Sequence, residues 1–534
     1  MDKNIAEEDV TWSDERVLPV FQAPQHLDIY HINSAPRVVQ FTVATLVGLI
    51  NRPQPRVYLT SRRDDAFWLD AALSSIPRDV SPLAGEDILH KLLSDYRSLV
   101  QGLIIYDPAL SDSINVATML AGQRDAIIVA PEQAQALQGE PYNLALLADL
   151  RVYKWTHRLQ AYRWAQDNLL SAATPRLVAG LDPAITVGIR PFLVAARAFI
   201  YWLDPLDFLP DFKAGLLSER CLMRRILNAY APGTGHFGWF VQEGAGVILT
   251  SHAALPVFAS DYFSNLEVWA SVPQVVASRP APQQAARVVE AGKSYISFTL
   301  SEGDNLQYMQ ERFLRLWRDP ARGTLPIGWP IAPILLQAAP SMLEYYTRTT
   351  TPNDEFIGGP SGIGYMYPSS WPREQLAAFL EVSGRLMQQL NLTSLEVLES
   401  NFGQNLALFF RALLKGSGMA LIDRTLQQRY AQELRPYGVR GILSGGGQDR
   451  ACYSVFSGVP VYQNLGIATS VNEAVSMIKE GAAGYAGRPI LLNIYVLAWK
   501  MTPSDLKQVA EQLGSDYEVV TPGTLLAMLI SPVQ

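Results

Sequence analysis

The groups in this chain best suited to chemistry are carboxylates placed where strands run out. An apolar run at residues 295–300 leads directly into Ser301-Glu302-Gly303-Asp304-Asn305. The outgoing ends of parallel strands are where barrels and open α/β sheets hold their active sites. Glu302 and Asp304 are two apart, so an extended backbone aims both at one face, and Gly303 could break that extension. Either acid could also cap a helix beginning near Leu306. A second acid closes Ser394-Leu395-Glu396-Val397-Leu398-Glu399, where Leu395, Val397 and Glu399 share a face and Glu399 stands at the outgoing end. A third strand ends in Ser444-Gly445-Gly446-Gly447-Gln448-Asp449, a loop able to cradle a ligand. It lacks the Lys-Ser/Thr or Gly-x-Gly-x-x-Gly context of a phosphate site. Between these acids lies Gly362-Ile363-Gly364-Tyr365-Met366-Tyr367-Pro368. Two glycines free the backbone and a proline stiffens its exit, so the loop can hold two rings at fixed angles over a groove.

Absences narrow the chemistry. All six histidines, His26, His31, His90, His157, His236 and His252, precede residue 278, and the cysteines are only Cys221 and Cys452. A histidine-containing metal site or a Ser-His-Asp centre in the later half would need residues from the earlier half. What remains is acid–base or nucleophilic work by carboxylates, the machinery of glycosidic bond cleavage. In that reading Asp304 and Glu399 form the catalytic pair, with Glu302 as an alternate member. Tyr365, Tyr367 and Trp329 would be stacking walls. Asn305, Gln307, Asn401 and Gln448 would bind hydroxyls, and Glu243, Asp261 and Asn265 would close the cleft from the first half. No metal and no cofactor is expected. The ligand is a carbohydrate or another small polar molecule.

The elements that must position these groups read as repeated β-α units. The chain has 534 residues, 49% apolar and 17% charged, enough for two or three domains with large cores. Its formal charge of −7, without long basic runs, gives no footprint for nucleic acid. No stretch approaches 18 uninterrupted apolar residues, so no membrane span is expected. The N-terminus has no apolar signal core, which makes a cytoplasmic location the expectation. In the first half, strands at 56–59, 102–106 and 125–130 alternate with helices at 42–51, 113–120, 161–173 and 191–203. That rhythm predicts an open α/β region over 1–277, with a split near 150 if it forms two subdomains. A Pro-rich linker follows at 278–285. From 286 to 534, strands at 295–300, 331–335, 394–398, 439–443, 490–496 and 517–520 alternate with helices. They predict a (β/α) barrel-like domain, with an open doubly wound sheet as the alternative.

The segment 362–368 also fits the Gly-x-Gly-Tyr-x-Tyr-Pro signature, and the chain resembles the GxGYxYP family of putative glycoside hydrolases. The resemblance extends to Leu46-Val47-Gly48-Leu49-Ile50-Asn51-Arg52, Ala121-Gly122-Gln123-Arg124-Asp125, Gly238-Trp239, Glu243-Gly244, Asp261-Tyr262, Ser301–Asn305 and Gly359-Pro360-Ser361. Relatives more often carry Asp where this chain has Glu302. The resemblance implies glycoside hydrolysis. A non-catalytic glycan- or partner-binding protein, an assembly component, and an enzyme acting on a non-sugar substrate stay open beside it.

Overall fold

The computed structural model describes residues 10–208, 218–273, 289–290, 292–399, 421, 423–445, 451–485 and 489–531. The expected linker 278–285 and the candidates Asn401 and Gln448 lie outside the described residues. The fold is mixed α/β, with small parallel sheets followed by one large curled, half-barrel sheet. Two units divide the chain: Met1–Leu249 with Phe258–Val275 and Gln337–Tyr345, and Thr250–Val257 with Val276–Leu336 and Tyr346–Gln534. Among the described residues no helix is long and apolar enough to cross a membrane.

Small sheets build the first unit. Leu27–His31 (β1), Val57–Thr60 (β2) and Arg78–Val80 (β3) pair in the order β2-β1-β3. Gly102–Ile105 (β4), Ala126–Val129 (β5) and Ala145–Asp149 (β6) pair as β5-β4-β6. Leu177–Gly180 (β7), Phe199–Tyr201 (β8), Gly235–Gly238 (β9) and Val257–Ala259 (β10) pair as β10-β9-β7-β8. Strands β2, β4, β5 and β7 are buried at every position, which is why they read as apolar runs without alternation. The region 191–203, expected as one helix, is a short helix Arg190–Ala195 followed by β8. Its apolar run has no period to separate the two states.

Polar residues in the resemblance segments act here as joints. Asn51 accepts from the amides of Arg56 and Val57 (2.9 and 3.0 Å) and donates to the Val57 carbonyl (2.9 Å), fixing the entry to β2. Arg52 pairs with Asp125 and donates to the carbonyls of Gly122 and Val194 (2.8 and 3.2 Å), tying three helix ends together.

Among the described residues the second unit holds ten strands in one sheet. Ser294–Ser301 (β11), Ile327–Ile331 (β12), Asp354–Gly358 (β13), Ser394–Val397 (β14), Gly441–Ser444 (β15), Cys452–Phe456 (β16), Val459–Gln463 (β17), Ile467–Ala468 (β18) and Ile490–Leu497 (β19) run in the order β16-β17-β15-β14-β13-β12-β11-β19-β18. Tyr517–Val519 (β20) also pairs with β11. Among the described residues the strands of this sheet pair in parallel except the β16–β17 hairpin, turned by Ser457 and Gly458, both at positive φ. The strand expected at 331–335 is displaced to β12, with a helix at Leu335–Ala338, because the apolar run 331–336 continues past the strand. Strand β13 escapes a propensity reading because its Asp and Gly are poor strand formers.

Hydrogen bonds between distant strands show the curl. In a flat sheet β17 and β19, six places apart, would be separated by roughly 29 Å. Instead the Tyr462 hydroxyl donates to the Leu491 carbonyl (3.0 Å) and accepts from the Asn493 amide (3.2 Å). Asn493 Nδ2 also donates to Asn464 Oδ1 (3.0 Å). The helix Pro522–Met528 lies across the incoming strand ends. The Gly523 amide donates to Glu355 Oε2 (2.8 Å), and Gly328 and Gly441 leave room for Pro522 and Leu526. Replacing Tyr462 by Phe keeps the packing but leaves two buried backbone groups unpaired. A loss of about 1–3 kcal/mol in chemical denaturation of the second unit is expected.

Candidate functional site

Strand β11 delivers its last residue, Ser301, to a carboxylate three strands away. The Ser301 hydroxyl donates to Glu396 Oε1 on β14, a span of roughly 14 Å in a flat sheet. Because side chains alternate along a strand, Glu396 lies on the opposite face of β14 from Leu395 and Val397. It is fully buried, and among the described residues its second oxygen, Oε2, has no partner. Burial pushes its carboxyl up to about 8, and the Ser301 bond offsets only part of that rise.

Directly after β11 come Glu302 and Asp304. Glu302 is buried, and its Oε2 accepts from the Asp304 amide. Asp304 precedes the helix Asn305–Gln310 but makes no side-chain capping bond. Its carboxylate accepts from Gln307 Nε2 (3.3 Å), and burial raises it to about 6. Two phenols feel the charge of these acids. Tyr308, on that helix, is pushed well above its ordinary range by burial and then by the charge of Glu302, with Glu396 adding to the rise. Tyr495, on β19, is raised by burial and then by Glu396. Both rings are fully buried; among the described residues the Tyr308 hydroxyl has no hydrogen-bond partner, while the Tyr495 hydroxyl lies beside the Asn464 side chain. Buried polar atoms left unpaired are uncommon, and Glu396 Oε2 and the Tyr308 hydroxyl are two of them among the described residues.

The other candidates are held differently. Both oxygens of Glu399 are engaged by Ser369, from its amide (3.0 Å) and its hydroxyl (2.7 Å). Asn305 donates to the Val257 carbonyl (2.9 Å) and accepts from the Leu306 amide (2.7 Å). Trp329 is fully buried against Phe313 and Trp317, with its indole donating to Asp354 (2.9 Å). Tyr365 and Tyr367 are buried edge to face, centroids 5.4 Å apart, with their hydroxyls 3.0 Å apart. Tyr365 forms a two-bond bridge with Val257 (3.0 and 2.9 Å). In the first unit Asn265 clamps both backbone groups of Leu59 (2.9 Å each), the Asp261 carbonyl accepts from Ile189 (3.2 Å), and Glu243 is exposed. Of the six histidines only His252 falls in the second unit, and it is exposed.

The segment before and within the signature supports Glu396 from behind. The Ser361 amide, at φ 62°, donates to the Glu396 carbonyl (2.8 Å), and the Ser361 hydroxyl lies 3.2 Å from both the Leu398 amide and carbonyl. A side chain at Gly362, φ 146°, would collide with Ser383 and Phe379. At Gly359 an added methyl would stand 3.1 Å from Glu396 Cβ and 3.2 Å from its Oε2, so glycine there keeps the carboxyl's surroundings clear.

Residues 292–529 match the GxGYxYP putative glycoside hydrolase C-terminal domain, and 26–98, 100–173 and 175–271 match the family's first, second and third N-terminal domains. The chain belongs to the GxGYxYP family. Its fold is similar to the crystal structure of a putative hydrolase from Bacteroides thetaiotaomicron VPI-5482, with a TM-score of 0.79, 19% identity and 98% of each chain covered. At that identity the likeness concerns the fold alone. A comparison with curated proteins gave no match.

In this GxGYxYP protein the acid that sequence reasoning missed is Glu396. Pairing Glu399 with the face of Leu395 and Val397 concealed it, although a glutamate in the middle of an apolar strand was the available signal. A carboxyl raised in the folded state contributes stability below its unfolded value and loses that contribution as pH climbs towards about 8. Glu396→Gln is therefore expected to flatten the alkaline decline. At pH 9 the variant should exceed the parent by on the order of 3 kcal/mol in urea unfolding, with little gain at pH 4.

Proposed function

We propose that this protein is a glycoside hydrolase whose second unit, a barrel-like domain, cleaves a glycosidic bond with a pair of carboxyl groups. Glu396 serves as the acid and Asp304 as the base or nucleophile. The observation that carries this reading is the buried Glu396 carboxyl, with one hydroxyl donor and, among the described residues, one unpaired oxygen. A carboxyl raised to about 8 holds its proton at neutral pH and can deliver it to a leaving glycosidic oxygen. Asp304, at about 6, is mostly ionised there and can attack the anomeric carbon or activate water. Acid and base pushed to opposite sides of the working pH are the pattern that two-carboxyl catalysis requires. Glu302 holds the Asp304 backbone, and Gln307 orients its carboxylate. Glu399 anchors Ser369, and the two tyrosines of the signature stiffen the loop that backs Glu396.

A screen of aryl glycosides tests this. Activity should follow a bell in pH, with limbs near 6 and 8 and an optimum near 7. Glu396→Gln and Asp304→Asn should each lower kcat by about 100- to 10,000-fold. Glu399→Gln should retain most activity while losing thermal stability. Turnover untouched by the first two substitutions would refute the assignment.

A further inference from the structure

The other end of the large sheet also has room for a ligand. A cavity of about 330 Å³ opens at the incoming ends of β15 and β17. The acids described above follow outgoing ends, so this hollow stands apart from them and from the hydrolase reading. In sheets of this kind the incoming end ordinarily serves packing rather than binding. The turn after the helix Arg424–Leu434 brings Arg435 and Arg440 to the cavity. Backbone bonds fix where both leave the chain: the Gly438 amide donates to the Arg435 carbonyl (3.0 Å), and the Arg440 amide to the Thr393 carbonyl (2.7 Å). The floor is apolar, with Val439 and Val459 buried and Ile530 at its edge half exposed. Neighbouring arginines are spoken for. Arg373 pairs with Asp423 (2.7 Å), Arg429 donates to the Arg373 carbonyl (2.7 Å), and Arg424 lies 5.5 Å from the Phe456 ring centre. Arg435 and Arg440 are exposed, and among the described residues their guanidinium groups meet no acid and no hydrogen-bond acceptor. No acidic side chain lines the cavity among the described residues. Outside those residues the second unit has one acid, Asp449, which in sequence follows the outgoing end of β15.

We infer that this cavity binds a small molecule that carries a phosphate on an apolar body, such as an aryl or alkyl phosphate. Guanidinium groups match phosphate oxygens in geometry as well as charge. A phosphate monoester brings about two negative charges at neutral pH, which two arginines balance. Val439, Val459 and Ile530 shelter the apolar part, which leaves water on binding. The volume is at the low end for small-molecule sites, so the guest is compact.

Calorimetry on the full chain with phenyl phosphate, inorganic phosphate, benzoate and phenol tests this. Phenyl phosphate should bind saturably, roughly tenfold tighter than the other three, and more weakly as salt is added. Arg435→Gln and Arg440→Gln should each weaken it about tenfold, with Tm unchanged because both side chains are exposed. Ala527→Leu keeps both charges and narrows the cavity, so it should weaken phenyl phosphate and spare inorganic phosphate. If phenyl phosphate and inorganic phosphate bind alike, and equally well in Ala527→Leu, the arginines hold an adventitious ion only and the inference is overturned. Benzoate bound more tightly than phenyl phosphate would overturn it too. So would binding that survives both arginine substitutions, or no saturable binding at all.

Discussion

A carboxyl group kept from water, with a single hydroxyl donor and no counter-charge, is among the more expensive things a fold can hold. Glu396 is such a group, and much of the second unit is organised around tolerating it. The curl of the sheet brings Ser301 across to it. The glycine at 359 leaves its second oxygen room, and Ser361 fastens the strand that carries it. Its charge is felt by Tyr308 on a helix and by Tyr495 on β19. A purely structural core would replace such a carboxyl with an apolar side chain of similar volume. On the proposed reading, keeping it exchanges stability for a proton held at neutral pH.

The family signature looks different from this position. Its tyrosines and glycines invite a reading as ligand-facing walls, yet the rings are buried against each other and Tyr365 is bridged to Val257. The glycine at 362 is required by crowding from Ser383 and Phe379 together with a positive φ. A motif that names a family can therefore be a buttress. Chemistry is assigned here to residues outside it, on β11 and β14.

Much of the architecture was legible. Strands β4, β5, β11, β14 and β19 announce themselves as apolar runs ending in turn residues, and the acids after β11 follow from the outgoing-end rule. Strand β13 was hidden by Asp and Gly, and β12 by an apolar run with no period. The site was half legible. Asp304 is visible because it follows a strong strand. Glu396 was lost because assigning the faces of a four-residue strand depends on which side the sheet curls towards, and that is settled by bonds such as Tyr462 to Leu491, between residues 29 apart. Local pattern carries no trace of them.

The order of the large sheet also bears on how the chain is made. Its first strand, β11, pairs along its whole length with β19 and at its start with β20, about 200 residues downstream. Until those strands are made, the edge of β11 that takes β19 has no native neighbour, and the start of its other edge lacks β20. Closing so long a loop is slow, and the waiting edge is exposed to other chains. The second unit is thus completed only once the helix at Pro522–Met528 has been made and seats against Gly328 and Gly441.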